Sequence, residues 1–171
     1  KFTNAIALAL MGDGLFQNML RDGVRVTVHH KDAKSSRIRR VQRVMKWKVK
    51  KVSTRSDDLV SVSSDESTYE TVINRLEFYK IDAGVIASVP DNHIIIDDIV
   101  TIYTGCFTET LRASLQHLHG KSTDDHHHHY ERLEHEKRCF SLIGCQSCFD
   151  NRPCVDIEIL PRNKQFIKEV N

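Results

Sequence analysis

Apolar and polar residues alternate along several short stretches of the chain, which is the period of a half-buried β-strand. The clearest is 24–30, in which three valines alternate with polar partners. In 44–52 lysines alternate with β-branched and aromatic residues, which favours a strand over a helix. We predict strands at 24–30, 44–52, 58–63, 85–89, 94–103 and 155–160, with 44–52 and 58–63 joined as a hairpin across 53–57.

Other stretches repeat their apolar residues with a helical period. Before 68–81, Ser67 and Glu70 form a capping box, and apolar residues recur on one face of the segment. In 107–120 the same period turns Phe107, Leu111, Leu115 and Leu118 inward. We predict helices at 4–23 (one or two, ended by Gly23), 68–81, 107–120, and from Ser122 or Thr123 to about Cys139.

The order of these elements indicates the fold class. Helices and strands are mixed rather than regularly alternated, which argues against a doubly wound parallel sheet. We predict an α+β fold: a largely antiparallel sheet with three to four helices packed on it, and an irregular Cys-rich loop near the C-terminus. Residues 1–120 would form the core with the basic strand. Residues 121–171 would form a His/Cys-rich helix-loop-strand appendage packed on the same domain.

Composition adds an uneven distribution of charge. The 171 residues carry a formal net charge of only +2, and no apolar run approaches the roughly 18 residues of a membrane-spanning helix. Between Ala33 and Ser56, however, ten Lys and Arg residues occur without one acidic residue, and an acidic segment follows directly. This basic element is either a solvated face balanced by its neighbour or an anion-binding surface.

A strand over 44–52 would direct Lys46, Lys48 and Lys50 to one side. Their spacing of roughly 6.6–7 Å is near the phosphate spacing of nucleic acid. Trp47 would face the other side, as a core residue or a base-stacking platform, and anionic lipid headgroups would be attracted equally well. The residues expected to bind nucleic acid or another anion are Arg37, Arg39, Arg40, Arg43, Lys46, Lys48, Lys50 and Lys51.

Four of the five cysteines lie together at Cys-x5-Cys-x2-Cys-x5-Cys spacing, and Cys106 stands apart. Cys145 and Cys148 form a knuckle that can chelate one tetrahedral ion. We predict a structural zinc site with ligands from Cys139, Cys145, Cys148 and Cys154, and with His135 as an alternative ligand. Disulfides and partly buried free thiols are the other two readings. The odd number of cysteines favours reduced thiols and an intracellular location, in cytoplasm or nucleus.

The remaining chemistry is sparse. Seven of the ten histidines fall between His117 and His135, on what we predict to be an exposed polar helix or a pH-sensitive contact surface. Asp97 and Asp98 end an apolar strand, but alternation directs them to opposite faces and no E-x-K follows. No phosphate-cradling loop is present. A metal-dependent hydrolase is therefore the least supported of three functions, and no catalytic residue is assigned.

The first functional expectation is a non-enzymatic nucleic-acid-binding protein that uses the basic strand, with the cysteine loop as a zinc clamp. The second is a structural or assembly protein that uses the same strand against a membrane or a nucleocapsid. One α+β domain with a basic patch and no catalytic motif is similar in profile to small viral matrix proteins. That profile implies self-association and presence in the virion. No small-molecule cofactor is evident from the sequence.

Overall fold

Eight antiparallel strands and two helices form the part of the chain that the computed structural model describes: residues 20–32, 35, 37–54, 69–119, 125–144, 153–161 and 164–165. The strands are β1 (Val24–Lys31), β2 (Ile38–Thr54), β3 (Tyr69–Asp82), β4 (Val85–Ile86), β5 (Asn92–Ile95), β6 (Ile99–Thr104), β7 (Cys139–Gly144) and β8 (Cys154–Ile159). The helices are α1 (Glu109–His119) and α2 (Asp125–Glu136), and a 3-10 turn (Ile96–Asp98) joins β5 to β6. None of the described helices is long and apolar enough to cross a membrane.

The sheet closes on itself through one bent segment. Its strand order is β4-β3-β2-β1-β8-β7-β6, and β5 pairs with β3 beside β4. Since only the 3-10 turn separates β5 from β6, residues 92–104 pair with β3 by their first half and with β7 by their second. The two ends of the sheet are thus brought together in a barrel-like form.

The interior of this closed sheet is the hydrophobic core. Alternate residues of the strands point into it, as expected for the period of two. Trp47 and Phe140 pack against its rim as partly buried members. The fully buried members are Leu20, Val24, Val26, Val28, Met45, Leu76, Phe78, Ile94, Ile96, Ile99, Leu142, Val155 and Ile157.

Helix α1 covers part of the outer face. It packs over β1 and contacts α2, and it buries Leu111 and Leu115 completely or nearly so. Phe107, predicted to face inward with them, is instead 54% exposed and stacks on Tyr103 at 3.8 Å between ring centroids. That prediction was wrong because α1 begins only at Glu109, so Phe107 precedes the helix and its periodicity.

The helix predicted over 68–81 is wrong, because residues 69–81 belong to β3, and residue 68 lies outside the described residues. Twelve residue pairs join β3 to β2, from Thr54↔Tyr69 to Arg43↔Lys80. Leu76 and Phe78 face the core, while the helical stripe would have required Val72, which is 49% exposed, on the same buried face. The β-branched residues of 71–73 and a long partner strand override a capping box, which is a local preference of small magnitude.

The other elements are confirmed in part. Strands form as predicted at 24–30, 44–52 and 155–160, with β2 much longer than expected. The strand over 94–103 is interrupted by the 3-10 turn, that over 85–89 is limited to Val85–Ile86, and Cys139 begins β7 instead of ending a helix. Residues 4–19, 58–63 and the Cys-rich loop at 145–152 lie outside the described residues. Within the described residues, β2 pairs with β3 and β1.

The predicted segments 1–120 and 121–171 contribute strands to the same sheet. Strand β8, from the C-terminal segment, pairs with β1 on one side and with β7 on the other. The segment 121–171 thus supplies two strands of the same closed sheet. Antiparallel strands, few helices and one core agree with the predicted α+β class.

Candidate functional site

The lysine stripe, defined here as Lys46, Lys48 and Lys50, lies on the outer face of β2. These residues alternate with Met45 and Trp47, which contact the core, so the expected separation of lysines from Trp47 is confirmed. Lys48 and Lys50 are exposed, and Lys46 is partly buried with its ammonium 5.6 Å from the centre of the Tyr79 ring. Gly23 keeps the start of the stripe close-packed: it has a φ of +110°, and a Cβ there would lie 2.9 Å from the Lys46 side chain.

Three of the other predicted anion-binding residues are already neutralised by carboxylates. Arg39 pairs with Asp32 at 3.1 Å, Arg43 with Asp91 at 2.8 Å, and Lys51 with Glu70 at 3.3 Å. Arg37 and Arg40 are exposed, but they lie at the opposite end of β2 from Lys50. Among the described residues, no carboxylate lies within ion-pair distance of any member of the lysine stripe.

Part of the lysine stripe stands on a two-stranded arm. Strand β1 pairs with β2 only up to Met45, and β5 pairs with β3 only from Arg75 onward. From Val49↔Asn74 to Thr54↔Tyr69, β2 and β3 therefore have only each other as neighbours among the described strands. At about 3.4 Å a residue this arm is roughly 20 Å long, and it carries Lys50 away from the closed sheet, with Lys48 at its base.

A second constellation lies under the helices and joins distant parts of the chain. Glu158 on β8 is 2% exposed, and its carboxylate lies 2.5 Å from Nε2 of His135 and 3.3 Å from Nε2 of His29. Arg138 approaches the same carboxylate at 3.8 Å. On the other side of the His29 ring, Nδ1 lies 2.8 Å from the Ser114 hydroxyl of α1. The cluster thus connects β1, β8 and both helices.

Electrostatics hold this carboxylate in its ionised form. Burial opposes ionisation of Glu158, but the interactions with His135 and His29 outweigh it and keep the pKa of Glu158 well below its ordinary value. Elsewhere on the outer face, burial and a hydrogen bond to Glu77 raise the pKa of Tyr79 to about 12. Tyr79 therefore stays neutral beneath Lys46 and offers its ring face to the ammonium.

Ser114, His29 and Glu158 are the residue types of a hydrolytic triad and contact one another in that order. All three are buried, however, and we interpret the cluster as part of the packing. Ser114 is 2% exposed in the middle of α1, so no substrate carbonyl can reach its hydroxyl. The cluster meets solvent at a groove of about 360 Å³ beside α2, to which His135 and Arg138 contribute. Its arrangement fixes the helices on the sheet and supplies no nucleophile.

The structure divides the predicted zinc ligands into two places. Cys139 pairs in register with Glu158, and Cys154 with Ile143, so the two cysteines are four residues, or about 13 Å, apart along the sheet. One ion with Zn–S bonds of about 2.3 Å cannot bind both. Cys154 lies at the start of β8, and its thiol donates to Asp156 at 3.6 Å. Cys145 and Cys148 lie outside the described residues.

Cys139 instead lies next to Cys106, the one cysteine outside the cluster at 139–154. Its thiol donates to the backbone oxygen of His135 at 3.3 Å and interacts with the thiol of Cys106. No group of three or more His, Cys, Asp or Glu side chains in the described ranges is arranged to hold a metal ion. Asp97 and Asp98 lie on the 3-10 turn and belong to no such group among the described residues.

Sequence reasoning missed His29, Ser114, Glu158 and the neighbourhood of Cys106. His29 and Glu158 do carry one signal: each occupies a polar position of an alternating strand, where a residue is expected to be solvated. Their burial results from α1 and α2 packing over that face, which no local pattern encodes.

Comparison with known proteins finds no matching family model, no similar curated protein and no similar solved structure.

Proposed function

We propose that the protein is a non-enzymatic nucleic-acid-binding protein that contacts the phosphate backbone through Lys46, Lys48 and Lys50. The observation that carries the proposal is that these three cations share one solvent-facing side of β2 with no carboxylate partner in the described residues. Neutralised cations such as Arg39 and Lys51 on the same strand do not have this property.

The spacing and position of the lysine stripe suit a polyanion. Alternate residues of a strand are about 6.8 Å apart, so three lysines can meet successive or alternate phosphates of an extended backbone. Arg75 on β3 lies opposite Lys48, but its pairing with Glu77 at 3.1 Å neutralises its charge, so the stripe alone carries the argument. Because Trp47 packs against the core, the stripe lacks a stacking ring, and binding is expected to be independent of base sequence.

Assembly against a membrane or a nucleocapsid is the alternative function, since anionic headgroups attract lysines through the same Coulomb forces. It would be accompanied by self-association and by partner binding in the absence of nucleic acid. An intracellular location accompanies the nucleic-acid proposal, and a virion location accompanies the alternative.

Structural zinc belongs to the proposal as a clamp on the β7–β8 turn. Gly144 and Pro153 close this turn with a hydrogen bond of 3.0 Å, which brings Cys154 to its base. Cys145, Cys148 and Cys154 are the ligands consistent with that position. Elemental analysis of purified protein should find about one zinc per chain, lost in Cys145→Ser/Cys148→Ser.

The test of the main function compares two triple variants of equal net charge. K46Q/K48Q/K50Q removes the stripe, whereas K31Q/R39Q/K51Q removes three exposed cations that are already paired with carboxylates. Fluorescence anisotropy with a labelled single-stranded RNA and with a duplex should show about 10- to 100-fold weaker binding for the first variant. The matched control should bind nearly as well as the parent.

Equal losses in both triple variants would contradict the proposal, because binding would then follow net charge and not the stripe. Vesicles that contain phosphatidylserine provide the second arm. If the parent binds vesicles but not nucleic acid, and if it self-associates in light scattering, the assembly function replaces the nucleic-acid function.

A further inference from the structure

Cys106 and Cys139 are neighbours across the end of the β6–β7 ladder. Thr104 pairs with Phe140, and the next backbone amide, that of Gly105, donates to the Cys139 oxygen at 2.8 Å. Gly105 has a φ of +80°, a left-handed conformation that glycine adopts without strain. It turns the chain so that the Cys106 thiol interacts directly with that of Cys139.

The two thiols have unequal surroundings. Cys106 is partly exposed, whereas Cys139 is 2% exposed. The adjacent Cys139 thiol lowers the pKa of Cys106, and the same interaction together with burial raises the pKa of Cys139. A partly exposed thiol that is more readily ionised, beside a buried one, is the usual arrangement of an attacking and a resolving cysteine.

We propose that Cys106 and Cys139 are a redox-active dithiol that closes to an intramolecular disulfide by exchange with a small-molecule disulfide such as oxidised glutathione. The bond would fasten the chain between β6 and α1 to the start of β7. This inference is independent of nucleic-acid binding and of the zinc clamp.

The exchange takes place in two balanced steps. The Cys106 thiolate attacks one sulfur of oxidised glutathione, a bond forms between them, and one glutathione thiolate leaves. The Cys139 thiol then loses its proton to solvent and attacks the Cys106 sulfur, which expels the second glutathione as thiolate. Two protein thiols are oxidised and one glutathione disulfide is reduced to two thiols. The interaction with the Cys106 thiol, which raises the pKa of Cys139, is lost once Cys106 carries glutathione. Ionisation of Cys139 becomes easier, which favours the second step.

Cys154 serves as the internal control. It is also partly exposed, but burial and the neighbouring Asp156 raise its pKa to about 12. The register of β7 and β8 also separates it from Cys139 by four residues. It should therefore neither attack nor resolve.

The test equilibrates the full chain in graded mixtures of reduced and oxidised glutathione, followed by alkylation and peptide mapping without reduction. The expected product is a linked Cys106–Cys139 peptide, with both thiols lost together and Tm raised by on the order of 5–10 °C. Cys139→Ser should stop at a glutathione adduct on Cys106 without that rise, and in the parent the Cys154 peptide should stay unlinked to either cysteine.

Three results would overturn the proposal. Cys106 of the parent could stop at the glutathione adduct while Cys139 stays free, or either cysteine could link to Cys145 or Cys148 instead. Alternatively, both thiols could resist oxidation until a chelator releases one equivalent of zinc, which would make them metal ligands. The linked peptide is sought in the parent, so the result does not depend on any variant that fails to fold.

Discussion

Glu158 links β8 to α2 through His135 and, by way of His29, to Ser114 of α1. Its carboxylate faces His29 of β1, His135 of α2 and Arg138, and Glu158 itself is only 2% exposed. Nε2 of His29 and Oε2 of Glu158 lie 3.3 Å apart without the alignment of a good hydrogen bond. The stability of the arrangement therefore depends mainly on the negative charge and on the bond to His135.

Glu158→Gln should destabilise the fold by about 3–5 kcal/mol, because it removes the buried negative charge that Arg138 and the two imidazole rings face. The matched control is Glu134→Gln, whose carboxylate pairs with the exposed Lys137 just after α2, so this substitution should change the free energy of unfolding little. Urea unfolding measures both. Equal effects of the two substitutions would show that the buried cluster does not stabilise the fold.

Acid should destabilise the protein through the same carboxylate. The pKa of Glu158 lies below its unfolded value of about 4.3, so between the two values the unfolded state binds more protons. The stabilisation is therefore complete above about pH 5 and is lost as the pH falls toward the folded-state pKa. Unfolding free energies measured from pH 6 to pH 3 should fall more steeply for the parent and for Glu134→Gln than for Glu158→Gln. Parallel curves for all three would contradict the assignment.

At the scale of elements, β2 could be predicted from the sequence and β3 could not. The lysines of β2 alternate with residues that fit a pleated surface, so the local pattern and the final sheet agree. The β3 segment combines a helical spacing with a capping box, and its conformation is decided by twelve pairings with the preceding strand. Those pairings are tertiary, and a single-sequence period cannot detect them.

Helix α1 allows a matched test of element packing. Leu111→Ala should cost about 2–5 kcal/mol, since Leu111 is fully buried against the outer face of the sheet. Phe107→Ala removes an exposed ring whose stacking on Tyr103 contributes about 0.5–1.5 kcal/mol. Thermal unfolding of the two variants would show the order. A larger loss for Phe107→Ala would mean that the helix begins earlier and buries that ring.

At the scale of the whole molecule, closure of the sheet makes the C-terminal third indispensable. Strands β7 and β8 complete the path between β1 and β6, whereas the composition of 121–171 suggests only an appendage packed on the same domain. Composition reports which residues are present, but strand order is set by pairings such as Val26↔Ile159 across most of the chain. The antiparallel class was therefore predictable, and the position of the last strands was not.

A fragment of residues 1–120 should consequently fail to fold alone, because β1 and β6 would each lose a neighbour and the core would be open. Circular dichroism should show no cooperative melting for this fragment. Coexpression with 121–171 should restore a complex that melts cooperatively. A cooperative transition of 1–120 by itself would show instead that the boundary near residue 120 separates independent units.

The most direct measurement of the central claim is the salt dependence of nucleic-acid binding by the parent and by K46Q/K48Q/K50Q. Each phosphate contact contributes about 0.7 to the slope of log K against log salt for a single strand and about 0.9 for a duplex. If the lysine stripe makes three such contacts, the variant's slope should be smaller by about 2 on a single strand. An unchanged slope would mean that Lys46, Lys48 and Lys50 do not contact phosphates, and would contradict the proposed function.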